Sequence, residues 1–107
     1  MLPKKNRVST KEVELIFKKG SFLNSPHLTF KYLKNSQKQI KISFIAPKSV
    51  AKLAVKRNLL RRRGYSALGG YIDQFPLGLI GVFVFKKYQD DISILENEIK
   101  NILNKIN

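Results

Sequence analysis

A chain of 107 residues that is 43% hydrophobic has the size of one domain, residues 1–107, with apolar content for a modest core between two layers of secondary structure. Its 21 Lys and Arg against 7 Asp and Glu leave a formal net charge of +14, more than solubility asks of a small protein, and point to a polyanionic partner. The absence of cysteine excludes disulfides and thiolate metal sites, and no stretch approaches the roughly 20 apolar residues of a membrane span, so no membrane partner is expected.

The N-terminal Met-Leu-Pro-Lys-Lys-Asn-Arg leads into polar residues and lacks the apolar core of a signal peptide, so a cytoplasmic location is expected. Ser9-Thr10-Lys11-Glu12 has capping-box spacing and Gly20 is placed as a stop, which predicts a helix over about Thr10 to Lys19 with Val13, Ile16 and Phe17 on one face. Residues 27–34 and 39–46 read as strands, with Phe30 and Tyr32 sharing one face and Ile40, Ile42 and Phe44 another. The short polar turn Asn35-Ser36 predicts that the two form an antiparallel hairpin.

A basic helix is expected from about Val55 to Leu68. It is followed by the turn residues Gly69-Gly70 and Pro76-Leu77-Gly78, then by an apolar strand, Ile80 to Phe85, covered on at least one side by a helix. Ser93-x-x-Glu96 repeats the capping-box spacing, and Asp90-Asp91 just before it is a second candidate cap. Leu95, Ile99, Ile102, Leu103 and Ile106 then form the apolar stripe of a last helix. The order helix, strands, helix, strand, helix predicts an α+β sandwich with helices packed on a mostly antiparallel sheet of about four strands.

Between Lys48 and Arg63 stand seven basic residues, Lys48, Lys52, Lys56, Arg57, Arg61, Arg62 and Arg63, and no acid. At about 100° per residue, Arg57, Asn58, Arg61, Arg62 and Tyr65 fall within roughly 140° of arc, with Val55, Leu59, Leu60 and Ala67 opposite. The first side is expected to bind RNA or DNA and the second to pack. Guanidinium forks grip phosphate, an amide reads a sugar or base edge, and a tyrosine offers a stacking plane. Unpaired positive charges crowded on one helix repel one another without a polyanion to neutralise them.

The run Lys48-Ser-Val-Ala-Lys-Leu-Ala-Val-Lys-Arg-Asn-Leu-Leu-Arg-Arg-Arg63 resembles the signature of the bacterial ribonuclease P protein family. Ala54, Val55, Arg57, Asn58, Arg61 and Arg62 match that signature position by position. The likeness extends to Asn6-Arg7, to a first helix ending Phe17-Lys18-Lys19-Gly20, and to a late apolar strand followed by a capped helix. Departures are Leu59 in place of a basic residue, Val13 in place of an aromatic, one extra residue between Lys48 and Ala54, Gly64 within the helix, and Tyr65 where a basic residue is common.

The resemblance implies the ribonuclease P protein fold, similar to the second domain of ribosomal protein S5. It also implies an accessory subunit that binds ribonuclease P RNA through Lys48, Lys52, Lys56, Arg57, Asn58, Arg61, Arg62 and Arg63. The 5′ leader of precursor tRNA would lie in a cleft of Arg7, Val13, Phe17, Phe30, Tyr32, Tyr65, Phe83 and Phe85. Magnesium would serve the RNA's catalysis, with no cofactor on the protein and no protein partner implied. A structural RNA-binding protein such as a ribosomal protein is the alternative. No catalytic residue is expected: His27 is the sole histidine and no carboxylates have metal-site spacing.

Overall fold

The computed structural model describes residues 7–34 and 38–106, so the predicted turn at Asn35-Ser36, and Asn6 of the N-terminal pair, lie outside the described residues. Helix α1 spans Thr10–Lys19, as the capping box predicts. The Ser9 side chain accepts from Glu12 N–H, and Glu12 Oε1 accepts from Ser9 N–H at 2.9 Å. Partial burial pushes the Glu12 carboxyl up, but the Ser9 hydrogen bonds and Lys41, 3.4 Å away, together hold its pKa below the ordinary value. The cap therefore contributes at neutral pH and weakens as pH falls through that lowered value. Gly20 ends the helix where space is short: a Cβ there would stand 2.5 Å from the Ile16 carbonyl oxygen.

Four strands follow the order β1-β2-β4-β3. Strand β1 (Ser21–Asn24), which the sequence pattern does not anticipate, pairs antiparallel with β2 (Leu28–Lys34). The expected hairpin between residues 27–34 and 39–46 does not form. Strand β4 (Leu79–Phe85) lies between them, antiparallel to β2 and parallel to β3 (Lys41–Ile45). The reason is apolar content. Strand β4 is buried at every position but Val84, and a strand of that kind belongs in the middle of a sheet with both faces covered.

Helices α2 (Ala54–Leu68) and α3 (Ile92–Ile106) cover one face of the sheet, where Leu60 and Leu68 of α2 and Leu95, Ile99 and Ile102 of α3 meet Leu28, Phe30, Ile42, Phe44, Phe83 and Phe85. Helix α1 covers the other, with Ile16 against Ile80 and Val82. Alternation along each strand sorts the residues between these two layers. Helix α3 starts one residue earlier than its predicted serine cap: Asp91 Oδ1 accepts from the N–H groups of Ser93 at 2.8 Å and Ile94 at 3.3 Å, so the second of the two candidate caps is the one used.

One buried acid ties the layers together. Glu98 of α3 is 4% exposed, and its carboxylate accepts from His27 N–H at 2.8 Å, lies 2.7 Å from the His27 ring Nδ1, and meets Ser25 Oγ at 2.5 Å. His27 thus has a structural partner, and the turn between β1 and β2 is pinned to α3. Glu98→Ala leaves half-buried donors on Ser25 and His27 without their acceptor and is expected to lower stability by about 2 kcal/mol, against under about 0.5 kcal/mol for the exposed Glu14→Ala. Urea titration of the two variants gives the comparison.

Candidate nucleic-acid interface

Helix α2 holds no acid in its first turn, and its outer surface carries Lys56, Asn58, Arg62 and Arg63 exposed to solvent, continuing from Lys48 and Lys52 in the preceding loop. The binding arc differs from the one predicted by helical spacing. Tyr65, expected on the RNA side, is 6% exposed: its ring packs edge-on against Phe44 at 5.1 Å and its hydroxyl accepts from Phe44 N–H at 3.3 Å. Val55, expected to pack, is 65% exposed.

The physical reason lies at Gly64. A Cβ at that position would come 2.5 Å from the Phe44 ring, so the missing side chain lets this turn of the helix lie close against the sheet, with the neighbouring Tyr65 turned inward. The first turns of α2 sit away from this contact and leave Leu53 and Val55 at the surface. Leu60, Ala67 and Leu68 are buried as the spacing requires.

The arginines do not share one role. Arg57 Nη1 donates to the carbonyls of Ala51 at 3.1 Å and Lys52 at 2.7 Å, which fastens the loop carrying Lys48 and Lys52 to the helix behind it. Arg61 donates to Asn58 Oδ1 across one turn. Arg7, from the segment before α1, lies 5.4 Å over the Tyr65 ring. Arg7, Val55, Asn58, Arg61, Arg62 and Tyr65 together line a cleft of about 400 Å³ with no carboxylate among the described residues of its walls. A second groove of about 330 Å³, lined by Leu59, Arg62, Arg63, Ser66 and Ile92, opens beside it. The Tyr88 hydroxyl donates to Asp90 Oδ2 at 3.2 Å, and desolvation and the Asp90 charge raise its pKa while Arg63 opposes them.

The predicted leader cleft is not one surface. Phe30 and Phe83 are fully buried and Phe85 is 1% exposed, packed among core rings on the α2/α3 side; Tyr32 stacks on Phe30 at 5.3 Å on that same side. Phe17 stands on α1, on the opposite face of the sheet, so strand alternation excludes these rings as its walls. Val13 packs beside Ile16. What accompanies Phe17 instead is Lys31, whose Nζ lies 4.4 Å from the ring centre. Phe22 is also there, the strand partner of Lys31 and 63% exposed. Phe22 is missed by sequence reasoning because β1 is, although the aromatic in Ser-Phe-Leu-Asn was the available signal; Lys31 stands on the predicted strand β2, on the face opposite Phe30 and Tyr32. Val8 packs with Ile16 and its N–H donates to Ser43 Oγ at 2.8 Å, so residues 7 and 8 connect the α2 cleft to the α1 side of the sheet.

The family model described as Ribonuclease P matches residues 2–107. The chain belongs to the ribonuclease P protein family. None of the curated proteins compared with it matches. The fold is that of the RNase P protein from Thermotoga maritima, with a TM-score of 0.82 at 20% identity, covering 94% of this chain and 97% of that one. It is likewise that of the Staphylococcus aureus RNase P protein, with a TM-score of 0.81 at 15% identity, covering 97% and 100%. A Thermotoga maritima RNase P protein in complex with 1-(4-fluorophenyl)-2-thiourea gives a TM-score of 0.79 at 20% identity over 91% and 95%. Membership makes this chain the RNA-binding protein component of the endoribonuclease that removes the 5′ leader of precursor tRNA, a subunit that assists catalysis without performing it. Among the described residues, no group of three His, Asp or Glu side chains is placed to hold a metal ion.

Proposed function

We propose that this chain docks on ribonuclease P RNA through α2 and the loop before it, and that it holds the precursor-tRNA leader on the α1 side of the sheet. The acid-free basic surface of α2 carries the first half of this reading: Lys48, Lys52, Lys56, Arg62 and Arg63 are exposed with no carboxylate among them, a surface that repels itself until phosphates neutralise it. The second half rests on Phe17, 49% exposed, on Phe22, and on Lys31 between them. Two aromatic faces beside a cation suit a single strand of variable sequence, since every base has a π face to stack. The protein's contribution is then positional and electrostatic, screening repulsion between two RNAs and holding the leader near the catalytic RNA, whose magnesium chemistry it does not share.

Reconstitution with and without ribonuclease P RNA tests this. Cleavage is expected only with the RNA, and the holoenzyme should bind precursor tRNA more tightly than mature tRNA. Phe17→Ala combined with Phe22→Ala should shrink that preference by about tenfold, the loss of one to two stacked bases, while leaving affinity for ribonuclease P RNA unchanged. Equal binding of precursor and mature tRNA by the unmodified holoenzyme would instead favour a purely structural RNA-binding role.

A further inference from the structure

We infer that the cleft between Arg7 and α2 takes a single unstacked nucleotide of the bound RNA, with the base inside the cleft and the flanking phosphates on its rim. The inference rests on the reading of α2 as the RNA-docking helix and names what that helix recognises. Volume is the first argument. At about 400 Å³ the cleft lies near the lower end of the range for small-ligand sites, room for one nucleotide and too little for a paired helix. Chemistry is the second. A surface that gripped phosphates alone would be lined by cations throughout, yet two of the six lining residues are an amide and an exposed branched aliphatic, Asn58 and Val55. An amide can pair with the edge of a base or a ribose hydroxyl as well as with phosphate, and an aliphatic side chain, which adds nothing to a phosphate contact, covers a base face.

Organisation of the walls is the third. Arg61 donates to Asn58 Oδ1, which holds the amide in one orientation before any ligand arrives. Tyr65, held by Phe44 N–H and the Phe44 ring, forms a fixed wall, and the Arg7 guanidinium carbon lies 5.4 Å over its ring. Arg62 is exposed on the turn next to Asn58 and lines both this cleft and the neighbouring groove, which places a cation where the backbone of an entering nucleotide leaves. A bulged or looped-out residue supplies such a nucleotide at low energetic cost, because its base is already unpaired.

The test uses the full chain and three forms of one RNA hairpin: fully paired, with a single-nucleotide bulge carrying each of the four bases in turn, and with an abasic residue at the bulge. Dissociation constants are measured across a salt series. At least one base-bearing bulge is expected to bind about tenfold more tightly than the abasic bulge, with the same salt slope, since the number of phosphates is equal. Asn58→Ala and Val55→Ser, both at exposed positions, should each remove most of that advantage, and Val55→Ser should leave affinity for the paired hairpin unchanged. Equal affinity for the abasic bulge and all four base-bearing bulges overturns the inference, as does retention of the full advantage in both variants. The docking reading is checked separately in the same series by Arg61→Ala/Arg62→Ala: an unchanged salt slope on every hairpin counts against α2 as the RNA surface, whereas a reduced slope without base preference overturns the nucleotide cleft alone.

Discussion

Gly64→Val is expected to destabilise the protein by about 3 kcal/mol, on the order of 15 °C in Tm for a domain of this size. A Cβ at Gly64 stands 2.5 Å from Cδ2 and 2.6 Å from Cε2 of Phe44. Phe44 has nowhere to go: it is 3% exposed, stacked on Phe83 at 5.0 Å and edge-on to Tyr65 at 5.1 Å. Helix propensity works the other way, favouring almost any residue over glycine within a helix by up to about 1 kcal/mol, so the outcome separates steric closeness from propensity. Gly70→Ala is the control, because nothing lies within 4 Å of its added Cβ, and it should change stability by less than about 1 kcal/mol. Thermal unfolding of both variants decides the matter. A Gly64→Val protein as stable as the parent would mean that α2 does not approach the sheet as described.

The second large effect concerns RNA affinity. Arg61→Ala/Arg62→Ala should lower affinity for ribonuclease P RNA by on the order of 100-fold near physiological salt. The slope of log K against log salt should fall by between about 1.4 and 1.8, because two phosphates are no longer neutralised by the protein. Arg57→Ala should behave differently. Its Nη1 is engaged by the Ala51 and Lys52 carbonyls, so its removal loosens the loop that presents Lys48 and Lys52. Affinity should fall with a slope change of less than about half that of the double variant, accompanied by faster amide exchange across residues 48–53. Equal slope changes for Arg57→Ala and Arg62→Ala would assign Arg57 directly to phosphate.

These contrasts follow from features that helical spacing could not weigh. Spacing alone treats α2 as packed evenly along its length, which puts Tyr65 with the arginines and Val55 with the core. Packing is uneven, because one glycine brings the later turns against Phe44 while the first turns project. The apparent hairpin of residues 27–34 and 39–46 failed for a related reason. Local turn chemistry at Asn35-Ser36 said nothing about a third strand, some forty residues on, that is apolar on both faces and displaces the neighbour. Once β4 occupies the centre, Phe30, Phe83 and Phe85 face α2 and α3, while Phe17 and Phe22 are left exposed on the α1 side of the sheet. The two capping boxes show the same divide on a smaller scale. Ser9-Glu12 acts as its spacing says, whereas Ser93-Glu96 yields to Asp91, which stands in front of it.

The amino-acid sequence by itself determined the helices to within a residue or two, the α+β class, the acid-free basic segment, the Arg57-Asn58 signature, and the lack of protein catalytic groups. These rest on local periodicity, charge and composition, which are properties of neighbours along the chain. Only the tertiary structure decided strand order, which aromatics face solvent, that Glu98 receives His27 and Ser25, that Arg57 braces a loop, and that Arg7 meets Tyr65 across a cleft. Each of these depends on contacts between segments far apart in sequence, where competition for burial and the space around single glycines set the outcome.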